Sequence, residues 1–363
     1  MKILEIVGSI NGGGVGSVVY NYISHMDLTT LDIDILTFKE AGKEQILEKP
    51  FKSLGCNVIY IDHRNKGYIK HFIKYIKILQ KNKYDVVHCH FNEWSLPYLY
   101  YAKKNGVAKT VAHSHTSVNE FHGVKRIITE AMKKLLPRVA TDRIACGKKA
   151  GDYLWGDLSY TILNNAIDLQ EFKYNQEIRK NMRNSLGIND NDFIVGFVGR
   201  LSPEKNPMYF LEIIKELNAT QTKCKGIIVG DGIQSDLLKE KTSELCLTDK
   251  VQFLGLRNDV QNILQAIDCI LMPSIYEGMP VSAVEAQAVD LPIVMSSQVT
   301  LDVKFTERAY YLPLENIEKW VSLVSEIKNL CKKHIRKSDK EIISKKGFDI
   351  SIESKKLRAI YLK

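Results

Sequence analysis

Two glutamates stand eight residues apart in IYEGMPVSAVEAQAV, Glu277 in a loop and Glu285 on the helix that the loop opens. Val281, Ala283, Val284, Ala286 and Ala288 leave Glu285 with apolar neighbours on nearly every side. A carboxylate on so apolar a helix needs a partner, because an unpaired buried charge is costly. The vicinal hydroxyls of a ribose would engage both of its oxygens; an internal ion pair would do so without a ligand. Upstream, Arg200 and Lys205 follow the apolar run FIVGFVG, and Pro207 suits the first turn of the next helix. Two cations at one strand end match a diphosphate, since Arg grips two oxygens and Lys supplies a point charge. The plain alternative is a pair of solvated loop charges. Gly199 ends that strand and Gly230 ends KGIIVG, so bare backbone there could meet a flat base.

The N-terminal half carries its own candidates. Gly12, Gly13, Gly14 and Gly16 follow the strand-like KILEIVG and open a helix. Backbone N–H groups in such a loop can face a phosphate or sugar oxygen, or the loop is simply a tight turn. His113 and His115 end one apolar run, and His88 and His90 end another. A lone histidine is usually structural, but pairs at strand ends point toward a ligand. Asp32 and Asp34 begin the second strand rather than end it, which argues against a ribose contact of the dehydrogenase kind. The triplets Asp32-Ile33-Asp34 and Asp190-Asn191-Asp192 match a metal-binding DxD in form, yet both precede their strands. No metal site is expected.

The elements that must position these residues alternate strand-like and helix-period segments, the pattern of βαβ units and parallel sheets. About six strands precede residue 169, and FIVGFVG, KGIIVG, KVQFLG, DCILMPS and LPIVMSS restart the pattern. Helices are expected over residues 68–80, 95–104, 207–217, 260–266 and 281–289, with a linker near 170–190. The division is residues 1–172, residues 173–347 and a helix over 348–363 that packs back on the first domain. The fold class is therefore α/β, two Rossmann-like doubly wound domains.

Charge falls unevenly on this framework. Lys and Arg exceed Asp and Glu by seven over residues 1–175 and by two over the remainder. Residues 64–83 hold seven basic and no acidic side chains, and residues 124–149 hold eight and two. Apolar Ile69, Phe72, Ile73, Ile76 and Leu79 recur at helical spacing beside Lys70, Lys74 and Lys77, so one face should pack on the domain and the other meet an anionic surface. No aromatic-laced basic motif points to nucleic acid. The seven cysteines lack CxxC spacing and read as buried free thiols of a reducing compartment. No stretch reads as a signal peptide or spanning helix.

Together, Glu277-x7-Glu285, Pro273-Ser274, Gly199-Arg200 with Lys205-Asn206-Pro207, and the N-terminal glycine loop resemble the GT4 family of retaining GT-B glycosyltransferases. The resemblance covers nearly the whole chain, and EGMPVSAVEAQA is its most specific piece. It implies a GT-B architecture, two Rossmann-like domains facing across a cleft, with the acceptor on the first and a nucleotide sugar on the second. Arg200 and Lys205 would hold the donor diphosphate, Glu285 the ribose, and Glu277 with the backbone of Gly278, Met279 and Pro280 the sugar hydroxyls. Gly13 and Gly14 would approach the phosphates, with Gly199 and Gly230 beside the nucleotide. His115-Thr116-Ser117 matches the active-site histidine pattern, and His113 is its rival. Two departures stand out: Asn165 replaces the glycine of an N-G-[IV]-D signature, and Gly16 stands where related bacterial enzymes carry Glu. The resemblance further implies a UDP-sugar donor, no cofactor or metal, and a glycan or lipid-linked acceptor of cell-surface polysaccharide synthesis. The expected setting is cytoplasmic, peripheral on the inner leaflet. Two other classes remain open to test, a nucleotide-sugar epimerase and a non-catalytic basic module that binds membranes.

Overall fold

The computed structural model describes residues 1–11, 14–39, 45–119, 121–331, 336–338 and 340–363. The chain divides into two compact units, Met1–Ala166 with Ile350–Lys363, and Ile167–Asp349.

In the first unit the strands are β1 (Lys2–Ile6), β2 (Asp32–Phe38), β3 (Asn57–Ile61), β4 (Val86–Cys89), β5 (Lys109–Ser114), β6 (Asp142–Ala145) and β7 (Thr161–Ile162). They form one parallel sheet in the order β3-β2-β1-β4-β5-β6-β7. Central strands such as β4 are buried at every residue, as expected of a parallel sheet covered on both faces. The order reverses between β1 and β4, the place where such sheets bind ligands beyond the carboxyl ends of their strands.

The second unit repeats the plan with β8 (Ile194–Val198), β9 (Lys225–Val229), β10 (Val251–Gly255), β11 (Cys269–Met272), β12 (Ile293–Ser296) and β13 (Ala309–Leu312). Its order is β10-β9-β8-β11-β12-β13, again parallel, reversing between β8 and β11. Val195, Phe197, Phe210, Ile214, Leu271 and Trp320 are among the residues of its core.

The stretch read as a linker is folded. Asn175 caps the helix Gln176–Ser185 by accepting from the backbone of Glu177 and Ile178. Arg179 and Arg183 of that helix reach the Asp268 carboxylate at 2.6 and 3.4 Å, fastening it to the second unit. The boundary falls at Ala166 rather than 172, because Ile167 donates to the Phe348 carbonyl at 3.1 Å and bridges to Asp349. The helix Ile350–Leu362 belongs to the first unit. There it buries Glu353, Leu357 and Tyr361, and Ser354 donates to the His25 carbonyl.

All seven cysteines are free; five are buried, Cys331 is partly so, and Cys246, contrary to expectation, is exposed. Among the described residues no helix is long and apolar enough to cross a membrane.

Candidate active site

Beyond β4 and β5 of the first unit, four imidazoles gather. His88 and His90 alternate on β4 and its end, and His113 and His115 do the same on β5, so period-two geometry puts all four on one face. Ring centroids are 4.1 Å apart for His88 and His90, 4.1 Å for His113 and His115, and 5.2 Å for His90 and His115. Glu5, on the central strand β1, lies in register with His88 and is almost wholly buried. Its carboxylate accepts from His90 Nε2 at 2.9 Å and lies 3.3 Å from His88 Nδ1. The Tyr361 hydroxyl donates to its other oxygen. Burial works against ionising Glu5, but the imidazoles outweigh it and hold the carboxyl well below its usual range. His90 Nδ1 lies 2.9 Å from His115 Nε2, and the His115 backbone N–H donates to Asn92 Oδ1 at 2.7 Å. Burial pushes His90 down to about 4, and it depresses His113 and His115 well below the ordinary imidazole range, with neighbouring rings adding to the effect. Of the rivals, His113 is buried while His115 is partly exposed.

The ligating nitrogens of His88, His90 and His113 lie within 4.8 Å of one another. Their rings stack, however: His88 and His113 are only 5° from parallel at 5.4 Å. A tetrahedral ion with bonds of about 2.1 Å needs nitrogens that converge on a point. The arrangement is that of a stacked imidazole array.

In the second unit the loops after β8 and β11 meet at the order reversal. Ile275 donates its backbone N–H to the Glu204 carbonyl at 2.8 Å, tying one loop to the other. Lys205 Nζ then lies 2.5 Å from both oxygens of Glu277, and Ser274 Oγ donates to Glu277 at 2.9 Å. Lys205 is thus not a solvated loop charge, the plain alternative raised above; it pairs with Glu277. Arg200 is exposed and has no ion-pair partner among the described residues. Gly278 is partly covered, and Met279 and Pro280 are buried where they lead into the helix Val281–Ala288.

Glu285 has no side-chain partner among the described residues, so the internal ion pair considered above is absent. Burial pushes its carboxyl up to about 7. A group in that condition awaits a polar ligand or the loss of its charge.

The glycines have a different explanation. A Cβ at Gly230 would lie 1.9 Å from the Gly199 carbonyl oxygen, so the two strand ends need glycine to pack together. At Gly16 a Cβ would lie 2.4 Å from the Ser9 carbonyl oxygen, leaving no room for the Glu of related enzymes. Gly14 opens the helix Gly14–Ser24 with φ 57, whereas Gly12 and Gly13 lie outside the described residues. Positive φ occurs at Asn92 and Asn206 but not at Asn165, so the departure from the signature costs that turn nothing.

Both DxD triplets are engaged elsewhere. Asp34 accepts from the Tyr84 hydroxyl at 2.5 Å, and Asp192 pairs with Lys225 at 2.7 Å. Glu5 and Tyr361 have no part in the sequence reading, and Ser274 enters it only as part of a motif, without its contact to Glu277. The one available signal was Glu5 itself, a charge inside the apolar run of a central strand.

Against known proteins, the model for glycosyl transferases group 1 matches residues 178–332, and the model for glycosyltransferase family 4 matches residues 12–171. The chain belongs to the GT4-type glycosyltransferases, and its two Rossmann-like units are those of the GT-B fold. It is 29% identical over 313 residues to the Escherichia coli UDP-Gal:alpha-D-GlcNAc-diphosphoundecaprenol alpha-1,3-galactosyltransferase, covering 81% of this chain and 79% of that one. It is 25% identical over 372 residues to the Staphylococcus aureus capsular polysaccharide biosynthesis glycosyltransferase CapH, covering 100% and 99%. In fold it resembles Anabaena Alr3699/HepE, solved in complex with UDP-glucose, with a TM-score of 0.77, 18% identity and 99% of each chain covered. These findings set aside the epimerase and the non-catalytic module.

Proposed function

We propose that this glycosyltransferase moves a sugar from a UDP-sugar onto a glycan or lipid-linked acceptor in cell-surface polysaccharide synthesis, with retention and without a metal. The observation that carries the reading is Glu285, an unpartnered carboxylate pushed up to about 7 by burial, in the same unit as Arg200 and Lys205. A ribose would supply the hydroxyls that Glu285 lacks. Arg200 and Lys205 would hold the diphosphate and stabilise the charge that grows on it as the sugar departs. Lys205 has three N–H donors; two meet Glu277 and one remains for a phosphate oxygen. Glu277, with the backbone of Gly278, Met279 and Pro280, would meet the sugar hydroxyls, and Gly13, Gly14, Gly199 and Gly230 would line the nucleotide.

Retention is what the resemblance to the GT4 family implies, and the carboxylates bear on how it would be achieved. Glu277 is neutralised by Lys205 and Glu285 is taken by the ribose, so neither serves as a covalent nucleophile, and the acceptor attacks on the leaving-group face. The engaged DxD triplets and the available cations support metal independence. His115 would be the first unit's contact with the reacting sugars.

The first unit, residues 1–172 in the sequence reading, would take the acceptor at the inner leaflet. The helix Gly123–Leu135 buries only Thr129 and leaves Val124, Ile127 and Ile128 exposed beside Lys125 and Arg126. On the helix Tyr68–Asn82, Phe72 and Leu79 pack inward as expected, but Ile69 and Ile73 stay exposed among Lys70, Lys74 and Lys77. A cavity of about 470 Å³ lined by Tyr68, Leu96, Pro97, Tyr100, Met132 and Leu135 separates them. Apolar and basic side chains on one surface suit an anionic leaflet better than water.

The test is transfer and hydrolysis with pure protein and a panel of UDP-, GDP- and ADP-sugars. UDP-sugars alone should turn over, with an α-linked product from an α-linked donor. Turnover confined to GDP- or ADP-sugars, or inversion, would refute the reading.

A further inference from the structure

The buried network of the first unit fixes where the protons of its imidazoles lie. Glu5 is a carboxylate and can only accept, so the His90 nitrogen facing it at 2.9 Å, Nε2, carries a proton. A neutral His90 then has its lone pair on Nδ1. His115 Nε2, 2.9 Å from that lone pair, must be an N–H, and the His115 lone pair is left on Nδ1. Tyr361 completes the set. Its one proton goes to Glu5, so its oxygen accepts the Nδ1–H of His88 at 2.7 Å. Glu5 thereby accepts from Tyr361 on one oxygen and from His90 on the other, with His88 Nδ1 at 3.3 Å beside them, which favours the ionised form despite burial.

We propose that Glu5 and Tyr361 are positioning residues that lock His115 in its Nε2–H tautomer, so that Nδ1 accepts a hydrogen bond from a sugar hydroxyl. This rests on the reading of His115 given above. Locked in this way, the imidazole has no N–H to offer a phosphate or carbonyl oxygen, which restricts its ligands to hydrogen-bond donors, the hydroxyls of a sugar among them.

The test combines imidazole ¹⁵N spectra of the full chain with kinetics on UDP-galactose. Wild-type His115, assigned by its loss in His115→Gln, should show a protonated Nε2 and a bare Nδ1. In Glu5→Gln, whose amide can donate as well as accept, both tautomers should appear. There kcat should fall about tenfold, the worth of one ordinary hydrogen bond. KM for the donor should hold within about twofold, and Glu5→Gln should add nothing in a His115→Gln background. Tyr361→Phe removes a single hydroxyl and should move kcat the same way by about threefold; it carries the test if Glu5→Gln does not fold. A wild-type His115 with Nδ1–H, or losses that simply add, would overturn the lock. A His115→Gln variant that keeps wild-type kinetics, beside the stated tautomer, would instead overturn the sugar contact, and with it the role of His115.

Discussion

Replacing Glu285 by Gln should make the ligand-free protein more stable and a worse nucleotide binder at the same time. In the folded chain burial raises this carboxyl from 4.5 to about 7, so the native state holds a proton that the unfolded state has released. Between those values stability falls as pH rises, because the unfolded state binds fewer protons. At 1.36 kcal/mol per unit the full penalty above pH 7 is about 3 kcal/mol. Glu285 is partly exposed, and a buried amide has its own desolvation cost, so a net gain of about 1–2 kcal/mol is expected. That is roughly 2–8 °C in melting temperature, given about 2–4 °C per kcal/mol. Calorimetry or thermal shift at pH 8 and pH 4.5 reads it: Glu285→Gln should melt higher at pH 8 and with the wild type at pH 4.5. Saturating UDP should raise the melting temperature of the wild type and scarcely move the mutant. The reasoning is wrong if the mutant gains nothing at pH 8, gains equally at both pH values, or keeps wild-type UDP affinity.

Lys205→Ala should weaken UDP binding by about 10- to 100-fold, a charge-assisted contact of roughly 1.5–3 kcal/mol, while Glu277→Gln spares UDP and costs affinity or turnover for UDP-galactose. Equal losses by titration calorimetry for both ligands in both mutants would contradict that division. Transfer should persist in excess EDTA; activity abolished by chelation and restored by Mg²⁺ would show that the carboxylates were misread. Cosedimentation with vesicles should require anionic lipid and fall with salt. Ile127→Asp and charge reversal at Lys70, Lys74 and Lys77 should each weaken it with UDP binding intact, and wild-type protein indifferent to anionic vesicles at low salt would refute the surface.

Local patterns were legible where burial wrote them into the residues. Ser95–Lys104 and Val260–Ala266 stand where their periodicity puts them, and the apolar neighbours of Glu285 announced its burial. The two strands absent from the sequence reading, β7 and β13, lie at sheet edges: β7 is two exposed residues, too short to make a run, and β13 buries only Ala309 of its four. The helix Gln176–Ser185 was hidden by its polarity; it is held by Arg179 and Arg183 on Asp268, not by an apolar face. Pairings across long separations were invisible for a simpler reason. Lys205 meets Glu277 over 72 residues, and Tyr361 meets Glu5 over 356, and no local spacing encodes either.

That last contact bears on how the chain is made. The ribosome delivers Glu5 before any of the second unit and Tyr361 only after the whole of it. Until then β1 carries a carboxylate whose hydroxyl donor does not yet exist. Nascent domains generally fold in order of emergence, but here the first to be translated is the last to be finished. A nascent chain arrested after Asp349 should hold a folded second unit beside a first unit that is still open to protease. Excising residues 1–166 as an independent fragment should fail for the same reason, and supplying the Ile350–Leu362 helix as a separate peptide should restore it.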